Sequence, residues 1–237
     1  WFTMWFIHSL FLVITSLLSA VLLSHAKEYN NIAMLGRNIE AMRATEKLMD
    51  KMGMDISIWN IDFQYPEEIP SIIEAVYEKY GSIDCLLNIA GYTDPQSLLQ
   101  TTLDNMEMTY KINVFSPFIL MRESVRYMKK NGGKILNVAS TAGMTPRPGW
   151  LSYSSSKASV ISMSQTLTDE LSEYGIKVYC VSPGRCATKL RKRLAPNEDP
   201  RTIMQPIEVA EVICDLISDE ECCLDGQNII IRKQIRK

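Results

Sequence analysis

The chain has 237 residues, 46% of them apolar and 22% charged, the make-up of a folded domain with a sizeable core rather than of a disordered segment. A net charge of -2 at pH 7 gives no reason to expect a nucleic-acid partner, and none is expected. The six cysteines (Cys85, Cys180, Cys186, Cys214, Cys222, Cys223) form no C-x-x-C or His–Cys grouping, so reduced thiols and no metal site are expected.

Residues 1–26, WFTMWFIHSLFLVITSLLSAVLLSHA, contain no Asp, Glu, Lys or Arg and are set apart from 27–237. Three readings compete. The segment exceeds the ~20 apolar residues that span a bilayer as a helix. Ser24-His25-Ala26 also has the small residues of a signal cleavage site. A buried strand followed by a buried helix would be equally apolar. A chain that begins at Trp1 adds a further expectation, that the native start differs from residues 1–23. Localisation follows the choice: cytoplasmic, or membrane-associated if 1–26 is an anchor.

From residue 27 onward short β-type runs alternate with helical stretches. The runs are NIAMLG (31–36), ISIWNI (56–61), IDCLLNIAG (83–91), GKILNVAS (133–140), IKVYCVSPG (176–184) and NIIIR (228–232). Helices are predicted over 37–52, 66–81, about 103–130, about 153–174 and 206–218, with Gly or Pro at the joins. This alternation, with strands that are nearly continuous apolar runs, predicts a parallel sheet covered on both faces. The expected fold class is α/β: a Rossmann-type, doubly wound parallel sheet in a single domain. Such sheets bind ligands beyond the carboxyl ends of their strands.

Candidate functional residues gather at those ends. The first run ends in Gly36-Arg37-Asn38, where dinucleotide-binding folds place an acid for the ribose hydroxyl of NAD or an arginine for the 2′-phosphate of NADP. No acid is present and Arg37 is, which favours NADP over NAD. Asp62 follows the second run, and the third carries Asn88-Ile89-Ala90-Gly91, whose small residues let a flat ligand approach. Ser140 ends the fourth run, and Pro183-Gly184 the fifth, with Thr188 just beyond. In YSSSK, Tyr153 and Lys157 are four apart, so on a helix they share a face about 6 Å apart along the axis. A positive charge beside a phenol of pKa about 10 makes its proton available nearer neutral pH. Each feature alone has a plain structural alternative: a turn, a cap, a solvated arginine.

Taken together, NIAG, Asn113 in KINVFSPF, Ser140 in NVASTAG, the YSSSK pair, and SPG with Thr188 resemble the short-chain dehydrogenase/reductases from about Ala26 to about Arg232. The resemblance implies an NAD(P)-dependent oxidoreductase that interconverts a small-molecule carbonyl and a secondary alcohol, with homo-oligomerisation through the helices beginning near Leu103 and Tyr153. It implies Tyr153 as general acid/base and Lys157 as the residue that lowers its pKa and holds the nicotinamide ribose. Ser140 would hold the substrate oxygen, and Asn113 a water on the proton path. Asp62, Asn88, Ala90 and Gly91 would line the adenosine side, and Pro183, Gly184 and Thr188 the nicotinamide side.

Two departures stand out. The family's Thr-Gly-x-x-x-Gly-x-Gly turn falls at 11–18, FLVITSLL, or slightly later if FLVIT is the first strand, and neither placement contains a glycine. The first glycine in the chain is Gly36. A native start other than 1–23, a membrane-anchored enzyme with a degenerate cradle, or a silent or membrane-tethered scaffold that has lost cofactor binding would each account for this. Ile89 stands where the family often has a second asparagine. Substrate choice falls on Arg147 and Trp150 in TAGMTPRPGW, and on Lys189, Arg191, Lys192 and Arg193 after Gly184. Such cations suit a phosphorylated sugar, a nucleotide-linked sugar or a phosphopantetheine arm, or simply form a solvated face.

Overall fold

The computed structural model describes residues 9–13, 31–49 and 55–233. Seven strands form one parallel sheet: β1 (Ser9–Val13), β2 (Asn31–Gly36), β3 (Asp55–Asn60), β4 (Cys85–Asn88), β5 (Gly133–Val138), β6 (Ile176–Pro183) and β7 (Asn228–Ile231). Their order across the sheet is β3-β2-β1-β4-β5-β6-β7, so chain order reverses direction between β1 and β4. The crevice beyond strand ends at such a reversal is where open α/β sheets take ligands.

β1 settles part of the apolar segment. It pairs with β2 on one side (Ser9 to Asn31, Val13 to Leu35) and with β4 on the other (Leu10 to Cys85). Residues 9–13 are thus an interior strand, as the buried-strand reading expects, and include the first three residues of FLVIT. The turn and helix expected after it, including the positions of the missing glycines, lie outside the described residues. Among the described residues no helix is long and apolar enough to cross a membrane.

Helices cover both faces. On one side α1 (Ile39–Met49) and α7 (Pro206–Ile217) bury Met42, Val209, Ile213 and Leu216 against Ile32, Met34, Leu87 and Leu136. On the other, α2 (Ile69–Tyr80), α4 (Ser116–Met128) and α5 (Leu151–Ser172) bury Ile73, Leu120, Met121 and Leu171 against Leu35, Leu86, Ile135 and Val178. Odd and even strand positions thus serve opposite cores, the period-2 alternation of a strand buried on both sides. Two short elements complete the frame near the ligand crevice, α3 (Leu103–Tyr110) and α6 (Lys189–Leu194).

The segment predicted as one long helix from 103 to 130 is continuous but not uniform. α3 is capped by Thr102, whose hydroxyl accepts from Asn105 N at 3.1 Å, and it runs into a π-turn at Lys111–Phe115 before α4 begins. The π-turn accommodates one extra residue per turn, and such bulges concentrate at functional sites.

Candidate active site

Tyr153 and Lys157 occupy the first two turns of α5. The serines around them solve a packing problem: a helix pressed close to its neighbours needs small side chains whose polar groups are satisfied. Ser155, Ser159 and Ser164 donate to the carbonyls of Leu151, Ser155 and Val160 at 2.8, 3.0 and 2.7 Å. Buried Ser156 donates to Tyr153 O at 2.8 Å and accepts from Asn113 Nδ2 at 2.9 Å. That last bond ties α5 to the π-turn.

Asn113 is fully used. Its Oδ1 accepts from Tyr92 N at 2.7 Å and its Nδ2 donates to Tyr92 O at 2.9 Å as well as to Ser156. It therefore clamps the loop after β4 to α5. A Cβ built on Gly91 would lie 3.6 Å from Lys157 Nζ and 3.7 Å from Asn113 Oδ1, so the absent side chain leaves a space between loop and ammonium. Lys157 is 4% exposed and donates to Val138 O at 2.7 Å. Burial pushes its pKa from 10.5 down to about 8.

Tyr153 packs edge-on against Trp150, ring centroids 5.7 Å apart, and its phenol is close enough to Ser140 to feel the hydroxyl's dipole. Ser140 Oγ also accepts from Ala142 N at 3.2 Å, which fixes its side chain at the end of β5. Tyr153 keeps some surface where it lines the crevice, yet the protein packed around the phenol raises its pKa above the usual value of 10.0. The Ser140 hydroxyl and the nearby Arg147 charge oppose that rise.

Two cavities meet at this pair. The larger, about 490 Å³, is lined by Ile89, Gly91, Val138, Ala139, Pro183, Lys157 and Lys189, with Asn38, Ala41 and Thr45 of the α1 region. The smaller, about 120 Å³, is lined by Thr93, Thr141, Arg147, Trp150, Arg185 and Arg191. Ser140, Tyr153, Gly184, Cys186, Thr188 and Leu190 form the wall common to both.

A family model for short chain dehydrogenases matches residues 19–199. The chain belongs to the short-chain dehydrogenase family. Among its relatives, the 3-oxoacyl-[acyl-carrier-protein] reductase FabG of Thermotoga maritima is 35% identical over 173 residues, 69% of this chain and 70% of the relative. Two solved structures share its fold. ElxO with NADP bound has a TM-score of 0.85 at 22% identity, covering 95% of this chain and 97% of that one. NAD+-bound xylitol dehydrogenase has a TM-score of 0.86 at 24% identity, with the same coverage.

Within this short-chain dehydrogenase the residues singled out from sequence divide in two. Ser140, Tyr153, Lys157, Gly91, Pro183, Gly184 and Thr188 all line the larger cavity. Thr188 does so while capping α6, its Oγ1 accepting from Arg191 N at 3.2 Å. Asn88 does not line it: alternation along β4 turns its side chain to the opposite face, where Nδ2 donates to Asn137 Oδ1 at 2.8 Å. Ala90 faces the same way as Asn88 and packs in the other core. Asp62 is engaged with its own neighbourhood, its carboxylate accepting from Gln64 N at 3.0 Å and from Arg37 Nη1 at 3.2 Å. Arg37 therefore stands beside Asp62, off the main cavity and 60% exposed. Lys157 Nζ lies 5.9 Å from the Tyr153 ring centroid. In the chain alone, burial is the largest influence on the phenol and raises its pKa, with Ser140 and Arg147 opposing. Ala41, Thr45 and Val209 are cavity residues that motif reading passed over, and Asn38 and Ile89 line the cavity although it gave them no role. For Ile89 the period-2 rule was an available signal, since 89 and 91 share a face.

Gly143, in the short 3-10 turn after Ser140, is the close-approach glycine of the site. A Cβ there would meet Ala158 N and Lys157 C at 2.8 Å and Lys157 O at 3.0 Å, all backbone of α5. Gly143→Ala is therefore expected to lower stability by about 1–3 kcal/mol through overpacking. In thermal unfolding this appears as a Tm decrease of roughly 2–4 °C per kcal/mol.

Proposed function

We propose that this NAD(P)-dependent oxidoreductase interconverts a small carbonyl compound and its secondary alcohol, with NADPH as reductant and Tyr153 as proton donor and acceptor. The observation that carries the reading is the common wall: Ser140 and Tyr153 stand together between a cavity sized for a cofactor and a cavity sized for a small substrate. Fit to a dinucleotide is supported by the 490 Å³ volume beyond the strand ends and by the side-chain-free space at Gly91 beside Lys157 Nζ. ElxO carries NADP and xylitol dehydrogenase carries NAD+ in their structures, so the fold serves both.

When bound, the nicotinamide supplies or accepts the hydride. The chain's own residues do the rest. Ser140 donates to the substrate oxygen, where negative charge grows as the carbonyl is reduced. Tyr153 O–H gives that oxygen its proton, completing the alcohol; in reverse the phenolate takes it back. Lys157 Nζ, held by Val138 O, faces the Gly91 space and would hold the ribose hydroxyls. Asn113 keeps the Tyr92 loop and α5 at a fixed separation, so the two cavities stay in register.

The preference for NADPH rests on Arg37. Its ion pair with Asp62 is exposed and so contributes little, leaving the guanidinium free to turn toward a 2′-phosphate at small cost. Arg37→Ala is expected to weaken NADPH binding about tenfold or more, the scale of losing a hydrogen bond to a charged group, and to leave NADH nearly unchanged. Titration of both cofactors into both proteins measures this. Equal effects on NADPH and NADH would remove the assignment, and failure of either cofactor to bind the folded wild type would remove the enzyme reading itself.

A further inference from the structure

The smaller cavity is unevenly charged. Three arginines line it, Arg147, Arg185 and Arg191, and no Asp or Glu is among its described lining. Two of them are already engaged. Glu198 accepts from Arg185 Nη1 at 2.8 Å and from Arg191 Nε and Nη2 at 2.6 and 2.8 Å. Arg193, which lies off the cavity, is engaged too, donating to Thr93 O at 3.1 Å.

Arg147 has no carboxylate partner among the described residues. It gives one hydrogen bond, Nη2 to Thr141 Oγ1 at 3.3 Å, and its buried Nε has no acceptor. The hydroxyl of Thr93, a residue only 1% exposed, is also without a partner on the same cavity wall. Buried polar groups left unpaired are uncommon and costly, and two on one wall beside a reactive phenol point to a ligand that supplies the missing acceptor.

We propose that this cavity takes a small oxo acid or hydroxy acid whose carboxylate accepts from Arg147 and from the Thr93 hydroxyl while its carbonyl or alcohol oxygen meets Ser140 and Tyr153. This deepens the carbonyl–alcohol reading above and rests on it. A planar guanidinium with free N–H groups matches a planar carboxylate at two points. Size agrees. A cavity of about 120 Å³ is well above the ~10–15 Å³ that holds one water, so it has room for a small acid. Of the cations that sequence reading offered for a sugar phosphate or a carrier arm, Arg191 and Arg193 are engaged elsewhere and Lys189 lines the larger cavity instead. The carboxylate is unchanged by the reaction: hydride goes to the carbonyl carbon, the Tyr153 proton to its oxygen, and NADPH becomes NADP+.

The test uses matched pairs in which a methyl ketone replaces the carboxylate. Pyruvate is compared with butane-2,3-dione, acetoacetate with pentane-2,4-dione, and 4-oxopentanoate with hexane-2,5-dione, following NADPH oxidation. At least one acid is expected to exceed its neutral partner in kcat/KM, and Arg147→Gln to shrink that ratio by roughly 10- to 150-fold, the value of hydrogen bonds to a charged group. Arg147→Lys, which keeps the charge and loses the fork, should fall between. The proposal is overturned if the wild type shows no preference for any acid. It is equally overturned if Arg147→Gln slows acid and diketone alike with a shifted pH profile, which would make Arg147 a residue that tunes Tyr153. A calorimetric titration of acetoacetate with NADP+ present, a complex that cannot turn over, separates the two levels. Acetoacetate binding that depends on Arg147 without reduction of any carbonyl would sink the enzyme reading and keep the anion site. Reduction without acid preference would do the reverse.

Discussion

Replacing Tyr153 by Phe is expected to lower kcat for carbonyl reduction by about 10²–10⁴-fold, the usual contribution of a positioned acid or base, and to leave NADPH affinity unchanged. The substitution removes only the hydroxyl. The ring keeps its edge-on contact with Trp150, and Ser140 keeps its bond from Ala142 N. Folding should therefore lose little, no more than about 0.5–1.5 kcal/mol, the scale of one hydrogen bond. The raised pKa of this phenol has a kinetic consequence with a definite sign. Protonated throughout the neutral range, it is ready to donate, so reduction should be flat near pH 7 and decline only at alkaline pH. Alcohol oxidation needs the phenolate and should climb with pH over the same interval. Near-normal turnover in the Phe variant would assign the proton to another group.

Lys157→Met should produce the other large effect, in opposite directions for activity and stability. Turnover falls because the ammonium beside the Gly91 space is gone. Stability of the cofactor-free protein rises at neutral pH, and the sign follows from where the proton sits. Below pH 8 both folded and unfolded chains carry the lysine charge, and only the folded chain bears the cost of burying it. Between pH 8 and 10.5 the folded state sheds that charge while the unfolded state keeps it, so wild-type stability climbs with pH and then levels. The fall of the lysine pKa from 10.5 to about 8 corresponds to roughly 3 kcal/mol. Leaving Val138 O without its partner takes back about 1 kcal/mol or more. Urea denaturation of both proteins at pH 7 and pH 10 should show the variant ahead at pH 7 and its lead shrinking at pH 10. A lead independent of pH would mean that charge burial is not what the lysine costs.

Most of this site could be read before any coordinates. The β2 run at 31–36 has the same ends in sequence and structure, because an apolar hexamer closed by Gly36 leaves little freedom. Ser140, Tyr153 and Lys157 were legible because order and strand context agreed. What escaped depends on direction rather than identity. IDCLLNIAG reads as one run, yet only Cys85–Asn88 pairs, and the chain then leaves the ladder to pass round the cavity. Along that run the side of the sheet alternates, so Asn88 joins Asn137 while Ile89 and Gly91 face the ligand space. The pairings of Asp62 with Arg37 and of Glu198 with Arg185 and Arg191 join residues 25, 13 and 7 apart, none of them within a single helix or strand, so no local pattern shows them. Residues 1–26 stayed ambiguous because a continuous apolar run carries no period, and only pairing partners identify 9–13 as a strand.

The π-turn at Lys111–Phe115 acts as a phase shifter. An α-helix advances ~100° per residue, so a one-residue surplus rotates everything downstream relative to everything upstream. Upstream the helix is set by Thr102 and by Thr109 buried under it; downstream it must aim Leu120 and Met121 at the sheet. A regular helix could satisfy one of these settings and not both, and Asn113 sits where the mismatch is absorbed. Shortening this stretch by one residue would yield a better helix and a mis-indexed protein, with the Tyr92 clamp and the core beneath α4 no longer attainable together. Local ideality and global fit pull apart at this turn, and the fold has kept the second.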